Sequence, residues 1–159
     1  MKTRRLWKVC AQIVLACLMA AAAAAKERDL KLDQYVGKYP DRQFLALPAV
    51  RDPLARLLGK RLGPFLDRFQ VTTPIDRVAR DIVAEGCVRH NCGAEQAAFS
   101  VDLDTGEVAA ATLTEGKYIN IYGGSTRSYR NLPPGLRRWI SSRTSQDPHF
   151  KKLKLRFYS

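Results

Sequence analysis

Ala97-Ala98-Phe99-Ser100-Val101-Asp102-Leu103 is the stretch on which the fold turns. Ala97, Phe99, Val101 and Leu103 alternate with Ala98, Ser100 and Asp102, the two-residue period of a half-buried strand. Asp104-Thr105-Gly106 follows as a turn, with glycine where a positive φ is often needed. Val108 to Leu113 is a second strand, rich in alanine, and Glu115-Gly116 reverses the chain again. Lys117 to Tyr122 is a third strand, with Ile119 and Ile121 on one side and Tyr118, Asn120 and Tyr122 on the other; Gly123-Gly124 ends it. Strands joined by loops this short pair as antiparallel neighbours.

Upstream of this meander lies Gly86-Cys87-Val88-Arg89-His90-Asn91-Cys92-Gly93. Cys87 and Cys92 are the only cysteines beyond residue 25. Two cysteines so close in sequence can bridge if their Cα atoms approach to about 5.5 Å. Closing so short a loop contributes roughly 2 kcal/mol in the chain-entropy picture. That does not staple a fold; it stiffens the tip of its own loop. Gly86 and Gly93 are expected to let the chain bend into and out of it. Other readings of these residues stay open. Cys87, His90 and Cys92 offer too few ligands for zinc unless His149 joins them. The spacing is not the Cys-x-x-Cys of a redox centre. A cysteine nucleophile paired with His90 would have to stay reduced. The plainest alternative is a structural disulfide in a turn, with His90 merely exposed.

Before the loop, Arg77 to Glu85 alternates only weakly. Residues 40–70 read as helix in pieces. Asp52-Pro53 is a cap and first turn, and Pro64 starts a second piece. Leu54, Leu58, Leu62, Phe65 and Phe69 recur at three- and four-residue steps and form a core face. Tyr35 and Tyr39 are expected to pack onto the domain. After the meander, Leu132-Pro133-Pro134 opens a helix over Gly135 to Arg143 with Leu136, Trp139 and Ile140 on one side. From Gln146 the chain is basic; Leu153, Leu155 and Phe157 alternate with Lys154 and Arg156, as in a short edge strand or a frayed tail. The residues themselves give one domain that combines helical pieces with an antiparallel meander.

The first residues read as an export signal. Lys2, Arg4, Arg5 and Lys8 precede an apolar run from Val9 through Met19, and Ala20 to Ala25 supplies small residues for cleavage. The chain then divides into a signal peptide over 1–25, a domain over 26–145 and a basic tail over 146–159. Cys17, after Val14-Leu15-Ala16, is the minor alternative of a lipoprotein anchor. An exported chain with two remaining cysteines is expected to oxidise them. Periplasmic or secreted residence follows, and export disfavours nucleic acid as a partner.

The formal net charge of +12 is unevenly spread. Residues 26–126 hold 14 basic and 14 acidic side chains, whereas residues 127–159 hold 9 basic side chains and one acid, Asp147. The second stretch could bind an anionic envelope surface, with the cysteine loop only structural. No Ser-His-Asp order, carboxylate pair or metal-ligand set stands at useful spacing, so no enzyme activity, cofactor or metal is expected.

The helical region, the Cys-x-x-His-x-Cys-Gly loop and the sheet meander resemble the Ivy family, periplasmic inhibitors of vertebrate lysozyme. The matching stretch runs from about Asp81 to Tyr122, centred on Gly86 to Gly93, and Ala94 to Leu113 fits the two strands after the family's loop. The resemblance implies an α+β fold, a single domain with a central antiparallel sheet flanked by helices, and a protruding loop that enters the active-site cleft of a c-type lysozyme, with homodimers known among members. By position, Cys87 and Cys92 look like the bridging pair and His90 like the histidine that occupies the catalytic centre; Val88, Arg89 and Asn91 complete the inhibitory loop. Where the family commonly carries lysine, proline and aspartate, this chain has Val88, Arg89 and Asn91. An endogenous lytic transglycosylase, whose cleft binds the same glycan, is the other implied target.

Overall fold

The computed structural model describes residues 32–123, 128–146 and 153–158. The alternating stretch is a strand, Gln96–Asp102 (β4), paired antiparallel with Asp81–Cys87 (β3) on one side and Val108–Thr114 (β5) on the other. Tyr118–Tyr122 (β6) continues the meander. Two short strands, Val71–Thr72 (β1) and Asp76–Val78 (β2), share the outer edge of β3. Lys154–Tyr158 (β7) adds to β6 in parallel and forms the opposite edge of a seven-stranded sheet. This part of the C-terminal stretch is therefore an edge strand rather than a frayed tail. A parallel neighbour needs a crossover, and the helix between β6 and β7 supplies it.

The helices lie on both faces of the sheet. Arg42–Ala46 (α1), Pro48–Leu58 (α2) and Leu62–Leu66 (α3) cover one face; Pro134–Gln146 (α4) covers the other. The fold is thus α+β. Phe44, Leu54, Leu58 and Phe65 pack on Ile82, Ala84, Phe99, Val101 and Ala110. Leu136, Trp139 and Ile140 pack on Ala98, Ala111, Leu113, Ile119 and Ile121. Both sets of alternating side chains in β4 are therefore buried, and the strand is not half-buried as its period implied. The polar partner that suggested a solvent face, Ser100, is itself 1% exposed. Small residues on the α4 side let that helix sit close to the sheet.

Local chemistry sets where the helices begin. Asp41 caps α1, its side chain accepting the Phe44 N–H at 2.8 Å. The second helix starts at Pro48 rather than at Asp52-Pro53, which lies inside it. Proline suits the first helical position because its φ is preset and its missing N–H has no intrahelical acceptor. Gly59, at φ +53, ends the helix. Tyr35 packs on Phe44 with ring centroids 5.1 Å apart, whereas Tyr39 is 62% exposed and does not join the core.

At the start of α4, the buried Asp81 accepts the Gly135 N–H at 3.2 Å. Burial pushes the Asp81 carboxyl above its ordinary range, against the pull of that hydrogen bond. A Cβ at Gly135 would stand 2.1 Å from Val83 Cγ2, so glycine is what allows the first turn of α4 to press on β3.

The export signal over 1–25 lies outside the described residues, as do 147–152 of the basic tail. Among the described residues no helix is long and apolar enough to cross a membrane.

Candidate functional site

The β3–β4 connection is the loop that the sequence singles out. β3 runs through Gly86 to Cys87, and β4 starts at Gln96. Cys87 and Cys92 are disulfide-bonded with Cα atoms 4.9 Å apart. The zinc and thiol-nucleophile readings of these cysteines end there, because the sulfurs are bonded to each other. Among the described residues no three His, Cys, Asp or Glu side chains gather as a metal site.

Inside the ring the chain makes a tight turn. The Asn91 N–H donates to the Val88 carbonyl at 2.9 Å, and His90 takes φ +63. A left-handed conformation at the third position of a turn is the place for glycine or asparagine. Histidine is enriched among the few other residues found there, at a cost of roughly 1 kcal/mol. Arg89, His90 and Asn91 are all exposed, with His90 at the tip. Asn91 also closes the descending limb, its carbonyl accepting from the Ala94 and Glu95 N–H groups at 3.0 and 2.9 Å.

Glycine acts differently from the expectation. Gly86 is not a bend: it sits in the strand, and a Cβ there would lie 2.8 Å from Phe69 Cα. It permits the Arg68–Phe69 backbone to lie against the base of the loop. Gly93 has open space around it and no positive φ, so no geometric requirement for glycine is visible there.

Residues not singled out from the sequence hold the loop from both sides. On the α4 side, Arg143 donates to Glu85 at 2.7 Å and to Gln96 at 2.8 Å, while its guanidinium stands 4.8 Å from the Trp139 ring. Gln96 in turn donates to the Cys92 carbonyl. Burial pushes the Arg143 guanidinium below its ordinary value, opposed by the Glu85 charge. On the other side, Arg68 pairs with Glu95, whose second oxygen accepts the Glu115 N–H at 3.0 Å. The Gln70 side chain accepts the Arg89 N–H at 3.1 Å. One signal for Arg143 was present: it falls at the next position of the stripe Leu136, Trp139 and Ile140. The remaining partners come from distant segments and left no local mark.

The family model described as inhibitor of vertebrate lysozyme (Ivy) matches residues 49–146. The chain belongs to the Ivy family. Comparison with curated proteins and with solved structures finds no match. The Ivy match spans α2 through α4 and so contains the whole loop with Arg68, Glu85, Glu95, Gln96 and Arg143. The family is one of lysozyme inhibitors, and an inhibitor needs a presented surface rather than a catalytic pocket.

Proposed function

We propose that this protein inhibits muramidases from the cell envelope, with the Cys87–Cys92 loop as the plug and His90 as the group that meets the catalytic centre. The observation that carries the reading is His90 itself: an exposed histidine at the loop tip, in a left-handed turn closed by a disulfide. Backbone strain at an exposed tip points to use of that side chain.

The chemistry fits a muramidase cleft. Retaining and inverting glycosidases place two carboxyl groups about the scissile bond, one a general acid and the other ionised. An imidazole ring donates from one nitrogen, and an imidazolium from both. Held between the two carboxyl groups, it forms charge-assisted hydrogen bonds in a site shielded from water. The loop offers no glycosidic bond to cleave, so the cleft stays occupied. A preformed tip lowers the entropy lost on binding. Val88, Arg89 and Asn91 complete the contact surface around His90.

The basic edge strand stands away from the loop, whereas exposed Arg89 lies on the loop itself and Arg143 at its base is paired with Glu85. Across the sheet, Cys87 aligns with Gln96, Leu113, Ile119 and Leu155 in turn. Four strand spacings put β7, with Lys154 and Arg156, roughly 19 Å from the loop base. That exceeds the screening length of about 8 Å at physiological salt. At the other end of β3, Arg138 pairs with Asp76.

A turbidity assay of cell-wall lysis tests the reading. Wild-type protein is expected to block a c-type lysozyme, or a lytic transglycosylase assayed in parallel, and His90→Ala to lose that block while melting at the same temperature. Full inhibition by a folded His90→Ala protein would move the active surface away from the tip.

A further inference from the structure

A second concave surface lies on the α1–α3 face, separate from the loop tip. Between the helical segment 56–65 and the β5–β6 strands runs an open groove of about 620 Å³. The sheet face below a helical layer is normally apolar, yet the floor here is Thr112, Thr114 and Asn120. Thr112 and Asn120 are only 5% and 9% exposed. The Asn120 amide donates to the Thr112 and Thr114 hydroxyls at 3.3 and 3.2 Å, and its oxygen accepts from the Tyr158 hydroxyl at 3.3 Å. Each threonine hydroxyl thus acts as acceptor within the floor and keeps its own proton to donate.

The walls add further donors. Arg56, Lys60, Arg61 and Arg68 line the groove, and no acidic side chain does. Arg68 pairs with Glu95, whereas Arg56, Lys60 and Arg61 enter no ion pair among the described residues. The Arg61 guanidinium stands 5.9 Å from the Tyr122 ring and 5.4 Å from the Tyr158 ring, which fixes its place at the mouth. A concave surface that offers donors and uncompensated positive charge selects an acceptor-rich anion. Its volume is within the range of sites for molecules of several rings and far exceeds that of one inorganic ion. Its polar floor suits hydroxylated rings, and Leu57, Pro64 and Tyr122 in the same lining offer apolar surface for the faces of those rings.

We propose that this groove binds an anionic saccharide, a short run of sugar rings carrying carboxylate or phosphate groups. The floor hydroxyls take ring oxygens, while Lys60 and Arg61 take the charged groups. The site does not depend on the loop: neither His90 nor the disulfide lines it.

The test is amide NMR titration and calorimetry on the purified chain with four probes: trigalacturonate, glucose 1,6-bisphosphate, neutral triacetylchitotriose and citrate. At least one anionic sugar is expected to bind and to shift Lys60, Arg61, Thr112, Thr114 and Asn120. The double variant Lys60→Ala/Arg61→Ala changes only exposed side chains and is expected to weaken binding tenfold or more. Thr114→Val is expected to weaken it several-fold, and His90→Ala to leave it unchanged. The two anionic sugars distinguish carboxylate from phosphate selectivity. Binding of citrate or the neutral trisaccharide as tight as that of the charged sugars overturns the proposal. So does the absence of shifts at these residues with both charged sugars, or undiminished binding by the double variant.

Discussion

Two connections at the same end of the sheet both place a non-glycine residue in the left-handed region. The β5–β6 hairpin does so at Glu115, φ +56, followed by Gly116, φ +62. Two successive positive φ values make the tight turn that matches strand twist, and the Lys117 N–H donates to the Thr114 carbonyl at 3.1 Å to close it. The β3–β4 loop does so at His90, where no two-residue hairpin imposes it. The first turn is fully accounted for by joining two strands. The second carries a disulfide, an exposed imidazole and anchoring contacts from Gln70, Gln96 and, through Gln96, Arg143. The same backbone state closes a two-residue turn in one place and sits within a disulfide-closed ring in the other, and both side chains are exposed.

Replacing each left-handed residue by glycine tests that difference, because glycine keeps the turn and removes only the side chain. His90→Gly is expected to raise the inhibition constant about 100-fold, or roughly 3 kcal/mol, as for a central contact residue. Its thermal stability should stay equal or rise slightly. Unchanged inhibition by His90→Gly would make the two turns equivalent and remove the distinction.

Next in size is the base of the loop. Gly86→Ala forces a methyl group against the Phe69 backbone and is expected to lower unfolding stability by about 2–3 kcal/mol in a denaturant titration. Gly93→Ala, with open space around it, serves as the near-silent control. Reduction of Cys87–Cys92 is expected to cost about 2 kcal/mol by the loop-closure relation and also to weaken inhibition, because the tip loses its preset shape. Glu115→Gly is expected to stabilise by less than about 1 kcal/mol and to leave inhibition untouched.

The smallest effect belongs to Asp81, far from both turns. Its folded carboxyl titrates above the ordinary 3.8, so the native state holds the proton to higher pH than the unfolded chain does. Its contribution to stability therefore falls as the pH rises from about 4 through the raised folded value, and it remains unfavourable at neutral pH. Asp81→Asn keeps an acceptor for the Gly135 N–H and should flatten that slope. Thermal melts across the acid range give the reading, and an unchanged slope would assign the acid dependence to other carboxyl groups.

The meander is legible from local signals because β4 and β6 alternate and Gly106 and Gly116 mark the turns on either side of the alanine-rich β5. Leu54, Leu58 and Phe65 followed from helical spacing, and all three are buried. The start of α2 was misplaced because Asp52-Pro53 mimics a cap, although Pro48 comes first and meets the same requirement. Tyr39, expected to pack onto the domain beside Tyr35, is largely exposed, since aromatic character alone does not say which face of a loop meets the domain. Within the candidate site, the cysteine spacing and His90 stood out at once, whereas Arg68, Glu85, Glu95 and Arg143 did not.

What the amino-acid order determined by itself was short-range: strand periods, turn positions, the cysteine spacing, and the balance of charge before and after residue 127. Those features depend on neighbours a few residues apart. Tertiary structure alone decided that α4 covers the second face of the sheet and that β7 closes it in parallel. It alone brought Gly86 against Phe69, and Arg143 against Glu85 across 58 residues of chain. Such contacts depend on packing between distant segments, where volume, burial and charge compensation select partners that no local pattern announces.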